Sequence, residues 1–212
     1  SAYAMAFILP LFGLDYWPAM VAAVLLTGLA GFVVYELFLA RVGQSEFERA
    51  ILITLGLSMI LVYGAQYLFS ATPRLVDTNF GFDGLDVGTV RITWTRIVAG
   101  AEALVAFAGL YAVLNFTQFG RAMRAIAQNR EAALMVGIRP KQVARNAVML
   151  ATALCGLAGA ALAPMQTVQP GMGQAVIFKA FALVIIGGLG NMAGAITAAL
   201  VLGLLECWIG GF

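Results

Sequence analysis

PAMVAAVLLTGLAGFVVYELFLA, Pro18 to Ala40, contains 23 residues and a single charge, Glu36, one turn before its end. About 20 consecutive apolar residues suffice for a helix to cross the hydrocarbon core of a bilayer, so this stretch reads as a transmembrane helix. Tyr16 and Trp17 precede it at the headgroup level, where amphipathic aromatic rings concentrate. Glu36 lies close enough to the other interface to snorkel outward or to pair with nearby Arg41.

The pattern recurs along the chain. Arg41 to Arg49 is a short polar connector, and Ala50 to Ser70, AILITLGLSMILVYGAQYLFS, is a second span with no charge. Ala71 to Arg96 changes character, with Pro73, several glycines, Asp77, Asp83, Asp86 and the alternating VGTVRITW. It reads as an extramembrane loop that can hold a small hairpin. Ile97 to Phe116 forms a third span, in which the shallow Glu102 suits an interfacial role better than a proton relay. A further span follows Asn146 and ends at Pro164. It is rich in small residues that permit close helix contact, and its GLAG at Gly156 to Gly159 repeats that of Gly28 to Gly31.

Composition supports this reading and narrows the chemistry. Of 212 residues, 62% are hydrophobic and 10% charged, and the mean hydropathy is +0.96, against about half and a quarter for a soluble domain. The expected fold is all-α, a polytopic helical membrane protein with about five to seven transmembrane or half-membrane helices. A net charge of +2 gives no footprint for a nucleic-acid partner. The absence of histidine removes the usual general base and the commonest metal ligand, so no catalytic residue, metal site or cofactor is expected. Cys155 and Cys207, in apolar surroundings and outside any ligand spacing, read as packed core thiols. No GxxxxGK[ST] loop is present, so any ATP chemistry belongs to a partner. The apolar run Ala2 to Leu14 has no basic region before it, and Phe212 follows a hydrophobic segment without a polar tail. Residues 1–212 therefore read as one transmembrane domain from a longer chain.

Half of the basic residues fall in Gln118 to Arg145: Arg121, Arg124, Arg130, Arg139, Lys141 and Arg145 against a single acid, Glu131. By the positive-inside rule this segment is cytoplasmic, and alternation places Arg41 to Arg49 on the same side and Ala71 to Arg96 outside. Gly120 to Val136 reads as one short helix, with Ala122, Ala125, Ala132 and Ala133 as small packing surface. Gly137 stops it and Pro140 starts the next helix. A charged loop that only sets topology and a small-residue helix that docks a cytoplasmic motor both fit.

After the polar external stretch Met165 to Gln174, the long apolar run to Trp208 is divided by GGLGN, Gly187 to Asn191, into two helices or half-helices. Gly187, Gly188, Gly190 and Gly194 read first as a turn with close helix packing, and second as lining for a solute path. Lys179 and Glu206 are the only charges there, and Lys179 reads first as a side chain snorkelling to the external interface and second, with these glycines, as a candidate translocation or helix-break residue.

Several ordered motifs resemble one family: RAMRAIAQNREAALMVGI at Arg121 to Ile138, GLAGAALAPM at Gly156 to Met165, QPGMG at Gln169 to Gly173 and KAFALVIIGGLGNMAGAITAALVLGLLE at Lys179 to Glu206. Together they are similar to the permease of bacterial branched-chain amino acid ABC importers, the LivH type above all. The resemblance implies an inner-membrane subunit that pairs with a second permease subunit. It further implies a periplasmic or extracellular solute-binding protein that delivers a small amino acid, and cytoplasmic ABC ATPase subunits that drive the cycle. It places the coupling element at Gly120 to Ile138, with Arg121, Arg124, Asn129, Glu131, Ala132 and Gly137 near the ATPase. Related permeases serve urea, short amides, sugars or nucleosides. The broken C-terminal helices also suit a passive channel or ion-coupled carrier, and the small-residue surfaces a non-transporting scaffold.

Overall fold

The structure, a computed structural model, describes residues 2–3, 15–41, 47–69, 84–87, 90–169, 171–188, 190 and 192–209. Eight α-helices carry these residues: α1 (Tyr16–Leu37), α2 (Phe47–Phe69), α3 (Trp94–Phe116), α4 (Gln118–Gln128), α5 (Arg130–Met135), α6 (Pro140–Leu162), α7 (Met172–Gly187) and α8 (Met192–Ile209). The expected all-α architecture holds, with one antiparallel hairpin, β1 (Gly84–Val87) against β2 (Val90–Thr93), where Val87 faces Val90. Among the described residues α1, α3 and α6 are long and apolar enough to cross a membrane, and the apolar stretches 52–67, 172–187 and 193–209 are shorter. Most of Ala2 to Leu14, parts of both polar connectors, and Leu189 and Asn191 of the glycine-rich break lie outside the described residues.

Helix boundaries follow local chemistry. Pro18 sits in the first turn of α1 and Pro140 opens α6, positions whose backbone N–H has no intrahelical acceptor to lose. Thr117, in an extended conformation, ends α3 and caps α4 by accepting the Gly120 N–H. Asn129 corrects the expectation of a single helix from Gly120 to Val136. Its backbone is extended (φ −154°, ψ 110°) and its Oδ1 accepts the Ala132 N–H at 3.0 Å, so the segment becomes two helices with Asn129 as the N-cap of α5. Gly137 stops α5 as expected. At φ 82° its N–H meets Leu134 O and the Ile138 N–H meets Ala133 O, both at 3.0 Å, a Schellman closure.

The chain divides into two compact units, residues 1–61 with 72–168 and residues 62–71 with 169–212. In the first, α1 and α6 run antiparallel and pack through small residues. Ala19, Ala23, Gly28, Gly31, Gly156, Ala160 and Ala161 are all buried. The contact is reciprocal: a Cβ added at Gly31 would fall 2.7 Å from Thr152 Cβ, and one added at Gly156 would fall 3.1 Å from Thr27 Cβ and 3.3 Å from Val24 Cα. Each threonine hydroxyl is turned back onto its own helix, Thr27 onto Ala23 O (2.8 Å) and Thr152 onto Val148 O (2.9 Å), which leaves the polar atom satisfied inside an apolar contact. The unit of repetition is thus Thr-x-x-x-Gly, Thr27 to Gly31 and Thr152 to Gly156, rather than GLAG alone.

The two ends of this helix pair are tied differently. At one end the Tyr35 hydroxyl donates to Lys141 O at 3.0 Å, and Arg145 lies 3.4 Å from Glu36 and 5.5 Å over the Phe32 ring. Arg145 of α6 is thus a partner of Glu36, while the side chain of Arg41 lies outside the described residues. At the other end the Tyr16 hydroxyl donates to Glu102 Oε2 at 3.3 Å, and Glu102 is buried. Glu102 thus joins α3 to α1. In the second unit α7 and α8 form an antiparallel hairpin. Gly187 approaches so closely that an added Cβ would lie 2.7 Å from Ala195 Cα. Both cysteines are exposed on the chain's surface, which corrects the expectation of core thiols.

Candidate functional site

The basic segment folds into a corner built from the end of α3, all of α4 and α5, and the start of α6. Gly120 is buried in this corner, where an added Cβ would lie 2.5 Å from the carbonyl carbon of Leu114 and 2.7 Å from its Cα. Arg124 reaches back across the same turn and donates to Leu114 O at 2.5 Å, satisfying a carbonyl at the C-terminal end of α3. Arg124 is therefore a structural clasp as well as a surface charge, and Arg145 is occupied by α1.

Beside the corner lies an open groove of about 540 Å³ between α4 and the beginning of α6, bordered by Phe119, Arg121, Ala122, Ala125, Ile138 and Val143. Arg121 sits exposed at its edge. Asn129 and Glu131 are exposed, the latter in the first turn of α5 where a carboxylate suits the helix dipole. Ala132 is also exposed, and it is Ala133 that packs inward. The structure thus brings Arg121, Arg124, Asn129, Glu131, Ala132 and Gly137 together on one short corner. An apolar tip not expected from the sequence stands there: Leu134, Met135 and Val136 are 52%, 90% and 75% exposed. The signal was present as ALMVG, three large apolar residues before the stop glycine of an otherwise basic segment.

The C-terminal candidates fall in the second unit. Gly187 ends α7 against α8, and Gly188 and Gly190 have φ of 83° and 84° with open space around them, so their backbone conformation rather than crowding demands glycine. Gly194 lies in α8 beneath Gly187. Lys179 is the eighth of the sixteen residues of α7, and its ammonium meets both carboxylate oxygens of Glu206 at 2.9 Å. The two charges of this hairpin therefore meet each other. Among the described residues no three His, Cys, Asp or Glu side chains cluster as a metal site would require.

Long apolar helices, a basic corner and a glycine-broken hairpin are features of many transporters, and a family match decides among them. The model of the branched-chain amino acid transport system permease component matches residues 1–212. The chain belongs to this permease family. The permease is 27% identical to the probable branched-chain amino acid transport permease protein LivH of Methanocaldococcus jannaschii, over 99% of this chain and 68% of the relative. It is 25% identical to the high-affinity branched-chain amino acid transport system permease protein BraD of Pseudomonas aeruginosa, over 95% of this chain and 69% of the relative. The ribose import permease protein RbsC of Bacillus subtilis shares 35% identity over 61% of this chain and 41% of its own. No solved structure matches the permease. Membership makes this chain a membrane permease subunit, a transport component, in a superfamily whose members import various solutes.

Proposed function

We propose that this permease moves branched-chain or related small amino acids inward across the bacterial plasma membrane, as one subunit of an ATP-driven importer. The observation that carries the reading is the family match along all 212 residues, joined by two relatives whose names give branched-chain amino acid transport. Residues 1–212 act as one transmembrane domain in which three long and three shorter apolar segments cross or enter the bilayer. A second permease subunit completes the path, an external solute-binding protein delivers the solute, and cytoplasmic ATPase subunits supply the work.

In this reading segment 118–145 faces the cytoplasm, as its basic excess favours. The ATPase seats on the corner: Leu134, Met135 and Val136 offer apolar contact, the exposed Arg121 and Arg130 offer charge, and the groove beside α4 receives a projecting side chain. Asn129, Glu131, Ala132 and Gly137 fix the shape of that tip rather than perform chemistry. In the hairpin, Gly187, Gly188, Gly190 and Gly194 shape the bend, and Lys179 is the helix residue closest in character to a path-lining group. The ribose relative supports a second reading, in which the solute is a neutral sugar and the same machinery is retained.

Proteoliposomes that contain the complete assembly should take up leucine only with ATP inside and binding protein outside. Uptake of ribose but not leucine would establish the second reading, and leucine uptake indifferent to ATP would remove the importer. Within the same system, Arg121→Glu is expected to weaken ATPase co-purification by about tenfold or more, since like charge at a docking patch costs more than its lost attraction. Normal membrane insertion with unchanged co-purification would place Arg121 outside the contact.

A further inference from the structure

The hairpin α7–α8 presents one charge from each helix, and both lie on otherwise apolar elements. Lys179 is half-way along α7, about 12 Å from either end at the usual rise per residue. Its ammonium is held symmetrically by Glu206, yet the two side chains are 54% and 50% exposed. An ion pair at such a position is rarely turned toward lipid. Ionisable groups inside membrane segments face a bundle interior or a water-filled cavity, because hydrocarbon can solvate neither member. The exposed face of this pair therefore belongs to a polar space.

Chemistry then narrows the occupant. The contact seen uses one ammonium against two carboxylate oxygens, which leaves Lys179 N–H donors and Glu206 lone pairs to spare. A solute that carries one ammonium and one carboxylate can exchange with this pair like for like, its ammonium on Glu206 and its carboxylate on Lys179. No net charge enters the apolar hairpin in that exchange, so the usual desolvation cost of moving an ion is largely avoided. One turn from the pair, on the same faces and toward the same end of the hairpin, stand Val176 and Ile209, 41% and 70% exposed. They offer aliphatic surface beside the charges. We propose that Lys179 and Glu206 form a docking site for zwitterionic α-amino acids with short aliphatic side chains, within the permease itself. The proposal rests on the amino-acid reading above and adds the residues that read the backbone of the solute.

Radiolabelled leucine binding to the solubilised complete assembly, without ATP and without the solute-binding protein, tests it. Lys179→Met and Glu206→Gln are each expected to weaken binding about tenfold or more, because each leaves one charged end of the ligand unpaired. Lys179→Arg and Glu206→Asp should retain it within a few-fold. Should a single neutral variant fail to assemble, Lys179→Met with Glu206→Leu leaves no lone charge in the helices and carries the test, since apolar replacement of an ion pair is commonly tolerated. An assembled double variant that binds leucine like the parent overturns the proposal and leaves the pair a structural tie. Absence of leucine binding by the parent, with ATP-driven leucine uptake intact, overturns it too while the importer reading stands. Absence of that uptake would instead remove the importer reading.

Discussion

Valine at Gly120 is expected to abolish coupled transport and to lower the stability of the solubilised chain by about 3 kcal/mol, at the upper end of ordinary overpacking effects. The atoms that a Cβ would meet belong to the backbone of Leu114, which cannot rotate aside as a side chain could. Relief requires that α4 swing away from the end of α3. That swing breaks the Arg124 bond to Leu114 O and the Thr117 cap on the Gly120 N–H, so two local hydrogen bonds fail together. Even alanine should be poorly tolerated. Gly100→Ala and Gly109→Ala supply the comparison, because both glycines lie in α3 with open space around them and alanine favours a helix. Thermal unfolding and ATPase activity of the assembly read the two effects separately. A Gly120→Ala variant as stable and as active as the parent would show that the corner is looser than described.

Gly31→Leu should be as damaging by another route, since four additional carbons would have to enter the socket filled by Thr152. Loss of accumulated folded permease is the expected result. The milder Gly31→Ala permits a quantitative test. Alone it forces Thr152 out of a position fixed by hydrogen bonds to Val148 O and Met149 O, and combined with Thr152→Ala the crowding is relieved. The coupling between the two changes should favour the double variant by about 1–2 kcal/mol, within the range found for residues in direct contact. Gly156→Ala with Thr27→Ala should behave in the same manner, because those residues occupy the mirrored arrangement. Additive effects in both cycles would contradict the reciprocal packing.

What the sequence made legible was what depends on near neighbours. Spans were visible as runs of apolar residues, the hairpin at Gly84–Thr93 as alternation around a turn, and the limits of α5 and α6 as Gly137 and Pro140. Asn129 was harder because good helix formers flank it on both sides, so periodicity continues through the break. Only the competition of its side chain for the Ala132 N–H divides the segment. Partners across the fold could not be read at all. Glu36 meets Arg145, Tyr16 meets Glu102, and Lys179 meets Glu206, because helix adjacency decides these contacts. In the candidate coupling corner the residue types were foreseen, but not the bond from Arg124 back to Leu114 O or the apolar tip of Leu134 to Val136.

The interlocked α1–α6 pair also has a mechanical meaning. Each threonine occupies the notch opposite a glycine of the other helix, so sliding one helix along the other would drive hydroxyl-bearing side chains over the adjoining residues before another notch was reached. Separating them would instead expose two lines of small residues and empty both notches. Ties at each end oppose rotation as well, through Tyr35 and Arg145 at one end and, by way of α3, Tyr16 at the other. If the proposed ATPase seats on the corner, a displacement at the foot of α6 is expected to carry α1 with it as a single strut.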